Sequence, residues 1–256
     1  MNNTKTHTLL PQEKHGPLEK VFDNIWIVKG GSKLPMPVRA LLTKTMTILR
    51  NPENNELTLI NAMRVSEAMM IEMADLGEIK NVLTIGGGHG KDDGFYKEKF
   101  GAKVYDVEGH SYTRSLDGKS EIYMTSDVQL TAESPLPIPN TELKIIHTNS
   151  SPEGVLHLKV EGGVYITGDS LQNTPKADEF VNFFAKRFMK KGGFFKAYNV
   201  GPAWFDKTQP NVSDFKSVFL NTDYDNVIPG HGNPVIGGAK DKYRPAVEAA
   251  IEKLQS

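Results

Sequence analysis

The chain has 256 residues, 38% of them hydrophobic and 24% charged, and its 30 Lys and Arg against 31 Asp and Glu give a formal charge of −1. That is the composition of an ordinary soluble globular protein with room for a sizeable core, and it carries no net field that would draw nucleic acid or an anionic membrane. Cysteine is absent, which excludes disulfides and thiolate metal sites and leaves His, Asp and Glu to hold any metal ion.

Residues 1–18 are polar and lack periodicity, so they are expected to form a flexible tail ahead of a single domain over residues 19–256. His7 and His15 fall in that tail and are expected to be solvated. The start of the chain has no apolar core of signal-peptide length, and no run approaches the roughly 18 apolar residues of a spanning helix. The expectation is a cytoplasmic protein with no nucleic-acid or membrane partner. Val21 to Val28 alternates like a strand, Val38 to Arg50 is a second strand-like run, and Pro52 to Asn55 turns the chain into a third at Glu56 to Asn61. Ser66 can cap a helix whose Met69, Met70, Met73 and Leu76 recur at spacings of three and four, with Gly77 as its stop. Core packing is the expected role of that methionine stripe.

Val82 to Ile85 reads as a short buried strand broken by Gly86, Gly87 and Gly88, after which His89, Lys91, Asp92 and Asp93 crowd polar groups at the strand's C-terminal end, where α/β domains bind ligands. A short helix around Phe95 to Phe100 and a strand over Ala102 to Val107 complete a β-α-β-α-β alternation. After a Pro-punctuated connection from Ser126 to Asn140, strands are predicted at Glu142 to His147, Val155 to Val160 and Gly163 to Thr167, the last running into Gly168 and Asp169. Phe180, Phe183, Phe184 and Phe188 mark one face of a helix from Ala177 to Lys190, expected to pack, with Lys186, Arg187, Lys190 and Lys191 suited to its C-terminal end; an amphipathic membrane helix is the alternative. Asn226 to Gly232 is a further strand that delivers His231, and a helix from Ala239 to Leu254 closes the chain. His147 and His157 sit in strands and are expected to be structural. His110 follows a strand end and could reach the site. Trp204 and Phe205 are expected to pack or to line a pocket.

Three strand ends thus supply imidazoles and carboxylates beside glycine: His89 with Asp93, then Asp169, then His231. This is a ligand set for a zinc, iron or manganese ion with an open position for water. At these residues the chain resembles the metallo-β-lactamase superfamily. Val164-Tyr-Ile-Thr-Gly-Asp169 is similar to that family's strand ending in Thr-Gly-Asp. Val227-Ile-Pro-Gly-His-Gly232 is similar to its closing Pro-Gly-His-Gly, and Ile145 to Gly154 resembles a worn copy of its middle segment. The resemblance covers roughly residues 20–240 and implies a four-layer αββα sandwich of two mixed β-sheets. The sequence departs from the pattern at Lys91 and Gly94, where the family has histidines, at Ser151, which takes the place of a metal histidine, and at Asn61, near a usual aspartate. The residues that still match ligand positions are His89, Asp93, Asp169 and His231. The resemblance then implies a degenerate site holding at most one ion, with Asp93 and Asp169 as ligands and bases and Lys91 as electrophile, for hydrolysis of an ester, lactone or phosphoester. Pro37, Val38 and Arg39 also resemble a recurrent feature of a divergent branch of the fold.

Two alternatives are open on the same residues. One is a catalytically silent, metal-free binding protein of this fold, with a small-molecule ligand and self-association through the Phe180 helix or through Phe194 and Phe195. The other follows from Val82 to Gly90 with Ala102 to Glu108, which resembles the glycine loop and acidic strand end of S-adenosylmethionine-dependent methyltransferases and would use Gly86 to Gly90 for the cofactor and Glu108 for its ribose. Gly90-Lys91 does not form a phosphate-binding P-loop, because Ile85 stands where that loop needs glycine.

Overall fold

The computed structural model describes residues 12–33, 40–113 and 122–256; His7 and the Pro37-Val38-Arg39 segment lie outside them. The first half runs β1 (His15–Phe22), β2 (Ile25–Lys33), β3 (Leu41–Arg50), β4 (Glu56–Ile60), α1 (Glu67–Ala74), β5 (Glu78–Thr84), α2 (Asp93–Phe100), β6 (Lys103–Val107), β7 (Tyr112–Thr113), β8 (Ile122–Met124) and β9 (Val128–Leu130). The second half runs β10 (Thr141–Ile146), β11 (Glu153–Leu158), β12 (Val164–Thr167), β13 (Leu171–Gln172), α3 (Phe183–Lys191), β14 (Asn199–Val200), α4 (Pro202–Thr208), α5 (Val212–Phe219), β15 (Asn226–Ile228) and α6 (Ala239–Gln255).

Seven strands form one mixed sheet in the order β1-β2-β3-β4-β5-β6-β9, antiparallel through β4 and parallel beyond it. Four form the other, β10-β11-β12-β15, with only the last pair parallel. Side-chain alternation along the strands sorts the core into layers. Met46, Ile48, Leu57 and Leu59 turn outward from the first sheet onto Met69, Met70 and Met73 of α1 and onto Phe95 and Tyr96 of α2. From the opposite face, Ile27, Leu49, Leu83 and Ile85 meet Leu143, Leu156, Ile166 and Ile228 of the second sheet. Tyr165 and Val227 then cover Phe215 and Phe219 of α5 and Tyr243 and Val247 of α6. The result is a helix–sheet–sheet–helix sandwich, as the resemblance implies. Each fully buried Leu or Ile stabilises this arrangement by about 1.5–3 kcal/mol relative to an exposed side chain.

Three local expectations change. Residues 15–18, expected in the tail, belong to β1, where the His15 Nε2 accepts a hydrogen bond from the Ser66 N–H at 2.9 Å and so fixes the strand against the start of α1. The helix expected from Ala177 begins at Phe183, because Asn182 caps it by accepting from the Ala185 N–H at 3.0 Å. Its buried side chains are Ala185 and Met189, while Phe183, Phe184 and Phe188 are exposed; the expected packed phenylalanine face is therefore not formed, and only Phe180, ahead of the helix, is buried. The β-α alternation required by a methyltransferase also stops after β6, which is followed by β7, β8 and β9 without a helix. Beyond them β10, β11 and β12 pair antiparallel, which overturns that alternative.

Candidate metal centre

The loops after β5, β12 and β15 meet at one edge of the sandwich. Glycine allows the meeting: Gly86 lies against Gly168 so closely that an added Cβ would stand 3.3 Å from its Cα, and a Cβ on Gly230 would stand 2.5 Å from the Gly168 carbonyl oxygen. A Cβ on Gly87 would fall 2.6 Å from the Ser151 hydroxyl. The close backbone approach that the glycine run suggested is real, but its partner is the second sheet rather than a cofactor.

This packing brings together His89, Asp169 and His231, each offering a donor atom within 4.8 Å of the others. His231 Nε2 lies 2.8 Å from Asp169 Oδ1, and His89 Nε2 lies 3.7 Å from the same oxygen. The other nitrogen of His231, Nδ1, is 2.6 Å from the Thr43 carbonyl on β3. A carbonyl only accepts, so Nδ1 carries a proton and fixes the orientation of the ring, the supporting contact expected of a metal-binding histidine. His89 is buried, its Nδ1 has no hydrogen-bond partner among the described residues, and burial pushes its pKa down to about 4. It is therefore neutral near pH 7 and offers a lone pair. Burial opposes charge on Asp169, but the hydrogen bond with His231 and the adjacent His89 outweigh it and hold the carboxyl well below the usual range. Two imidazoles and a carboxylate with spare coordination positions fit one zinc, iron or manganese ion.

Asp93 is placed elsewhere. It is fully buried and does not join the group within 4.8 Å. Its Oδ2 accepts from Thr84 Oγ1 at 2.6 Å and Tyr112 OH at 2.8 Å, its Oδ1 has no partner among the described residues, and burial raises its pKa to about 6 against those two bonds. Lys91 lines the cavity beside the cluster and donates to the Lys33 carbonyl at 3.1 Å. Asn61 supports the site indirectly: its side-chain oxygen accepts from the Ile85 N–H at 3.1 Å, at the end of β5.

Two residues, Lys44 and Glu153, enter the site without having been singled out. Lys44 on β3 is 4% exposed, donates to the Ala62 carbonyl at 2.7 Å, and lies within electrostatic reach of Asp92, Asp93 and Asp169, while burial lowers its pKa. Strand alternation holds the signal, since Lys44 shares a face with the core residues Met46 and Ile48. Glu153, also fully buried, accepts from the Asp169 N–H at 2.9 Å and the Ser170 N–H at 2.6 Å. Burial, with the Asp169 charge beside it, pushes Glu153 up to about 8. One negative charge is thus concentrated on Asp169. Ser151, in the place of a family histidine, lies 3.5 Å from Nδ1 of the buried His110. His147 pairs with Asp214 at 2.7 Å, and His157 packs against Tyr165, so neither reaches the site.

A cavity of about 270 Å³ opens onto the cluster. His89, Lys91, Lys44 and Ser151 line it together with the apolar Leu42, Met189, Phe194 and Trp204. Such a cavity, apolar with a few converging polar groups, suits a small molecule. Among the described residues no helix is long and apolar enough to cross a membrane.

No protein-family model matches the chain, and no curated protein matches it by sequence. Solved structures do. The DIM-1 metallo-β-lactamase exposed to ceftazidime aligns over 94% of this chain and 98% of its own at 15% identity, with a TM-score of 0.58. The metallo-β-lactamase FIM-1 from Pseudomonas aeruginosa, in its mono-zinc form, aligns over 94% and 98% at 12% identity with a TM-score of 0.55. ETHE1 from Myxococcus xanthus aligns over 86% and 91% at 17% identity with a TM-score of 0.50. With the layers and strand order described above, these likenesses establish that the chain has the metallo-β-lactamase fold.

Proposed function

We propose that the protein is a hydrolase of a small ester, lactone or phosphoester that works with one divalent ion, zinc, iron or manganese, held by His89, Asp169 and His231. The observation that carries this reading is the pair of acceptors on His231. Its Nδ1 faces the Thr43 carbonyl at 2.6 Å and its Nε2 faces the Asp169 carboxylate at 2.8 Å. Two acceptors on one ring call for a positive charge there, either a second ring proton or a metal ion facing Nε2 and the carboxylate. When bound, the ion would supply Lewis acidity and a nucleophilic water.

The chain's own residues do the rest. Glu153 holds the backbone at Asp169 and so aims the carboxylate. Lys91, with Lys44, sets positive charge on the cavity lining, where an oxyanion or a phosphate oxygen would gain most from it. Trp204, Leu42 and Phe194 take the apolar part of the substrate and exclude water. Asp93 keeps a supporting role through Thr84 and Tyr112. The mono-zinc state in which FIM-1 was crystallised offers a precedent of fold for a single-ion site.

The buried ammonium of Lys44 favours a second reading, because a fixed positive charge opposes a metal ion. In that reading the protein is a metal-free member of the fold that binds an anionic small molecule. Elemental analysis separates the two. Protein purified without a tag or chelator, then loaded with zinc, manganese or ferrous iron, should retain about one equivalent, and Asp169→Ala and His231→Ala should lose it while keeping the circular dichroism of the fold. Retention by both variants would overturn the assignment of the ligands. No metal under any loading would leave the anion-binding reading.

A further inference from the structure

The exposed face of α3 meets the site only at Phe188, which lines the cavity. Phe183, Phe184 and Phe188 are 75%, 55% and 46% exposed, on a helix held to the body by Ala185 and Met189 alone of its side chains. Three large aromatic side chains in nine residues of one helix are not scattered surface apolarity, and they mark a contact surface. Their neighbours decide the kind of contact. Lys186, Arg187, Lys190, Lys191 and Lys196 are all exposed, none forms an ion pair among the described residues, and no acidic residue occurs from Phe180 to Gly201. A chain of net charge −1 thus concentrates five positive charges around three exposed phenylalanines. A second copy of this surface would oppose like charges at close range. An anionic lipid surface would instead accept the rings at its headgroup boundary and attract the cations.

We infer that α3 and the turn after it, through Lys196, dock on an anionic bilayer surface. The helix is far too short to span, so the contact lies in the interface plane. The cavity lies at the same place: Phe188, Met189 and Phe194 line it, and Phe188 and Phe194 approach each other with ring centroids 6.0 Å apart. Docking would therefore bring the mouth of the cavity to the bilayer. This contact stands apart from the metal reading, and either can fail without the other.

The test is cosedimentation of the full chain with vesicles of phosphatidylcholine, with and without roughly one-third phosphatidylserine. Binding to the anionic vesicles, weakened by salt and absent with the neutral ones, is expected. Phe183→Ala with Phe184→Ala should reduce it about tenfold or more, and Lys186→Glu with Lys190→Glu should abolish it. All four positions are exposed, so the melting temperature of each variant should match that of the parent. Failure to bind, equal binding to neutral vesicles, or binding untouched by these substitutions would overturn the inference. Self-association that disappears in the phenylalanine variant, without vesicle binding, would also overturn it and assign the face to a second copy.

Discussion

Glu153→Gln is expected to reverse the sign of its effect on stability across the neutral pH range. In the fold Glu153 has its pKa raised from 4.5 to about 8, first by burial and then by the Asp169 charge. An unfolded chain gives up that proton near pH 4.5, whereas the folded chain keeps it until about pH 8. Stability therefore falls as pH rises between those values, and the full cost is present above about pH 8. A shift of this size bounds the cost at roughly 5 kcal/mol, and sharing of charge with Asp169 brings the expected value to on the order of 3 kcal/mol. Glutamine removes the pH-dependent part but offers one oxygen where the carboxyl group offered two, so either the Asp169 or the Ser170 N–H loses its acceptor, at about 1–3 kcal/mol. The variant should be less stable than the parent at pH 5 and more stable at pH 9, with the crossing between. Urea unfolding at pH 5 to 9, with chelator present to keep metal binding out of the comparison, reads this directly. Parallel curves for the two proteins would refute the assignment of a neutral, proton-holding Glu153.

Two further outcomes follow from the same edge of the sandwich. Gly230→Ala places a methyl group 2.5 Å from the Gly168 carbonyl oxygen and 3.2 Å from His89 Cε1, so it should lower stability by about 2–3 kcal/mol and the melting temperature by about 5–10 °C. Gly101→Ala, with φ of 63° but nothing within 4 Å, should cost only about 1 kcal/mol; equal costs would deny the tight loop contact. Lys44→Met removes the buried ammonium within electrostatic reach of Asp92, Asp93 and Asp169 and should tighten divalent-ion binding about tenfold or more by calorimetric titration, whereas unchanged or weaker binding would show that the lysine does not oppose the ion.

The strands and helices were legible because their periodicities write burial directly into sequence, the αββα layering was implied by the resemblance, and the two strand-end motifs supplied Asp169 and His231, two of the three residues of the candidate cluster. Short elements were harder. β7, β8, β13 and β14 have two or three residues each, too few for any period to register. The phenylalanines of α3 misled for a different reason: spacing identifies a common helix face but not whether anything covers it. Asp93 misled because motif order is a one-dimensional guide. Its neighbours Thr84 and Tyr112, the second distant in sequence, tie its oxygen away from the three-residue cluster.

Lys44 shows what motif reading overlooks. The sequence places a lysine at position 91, where the related fold has a metal histidine, and the simplest inference makes Lys91 the substitute for a missing ion. In the folded chain Lys91 donates to the Lys33 carbonyl and lies within electrostatic reach of Asp92 and Asp169, and Lys44, on a strand with no motif, is buried within reach of Asp92, Asp93 and Asp169. A buried ammonium costs several kcal/mol of desolvation unless neighbouring carboxylates and a carbonyl acceptor offset it. The Ala62 carbonyl and those carboxylates provide that offset. Without that ammonium the same carboxylates would repel one another. Lys44 and the three carboxylates therefore form one electrostatic arrangement. Its remaining negative charge, on Asp169 between His89 and His231, is the position at which a single ion would still be favoured.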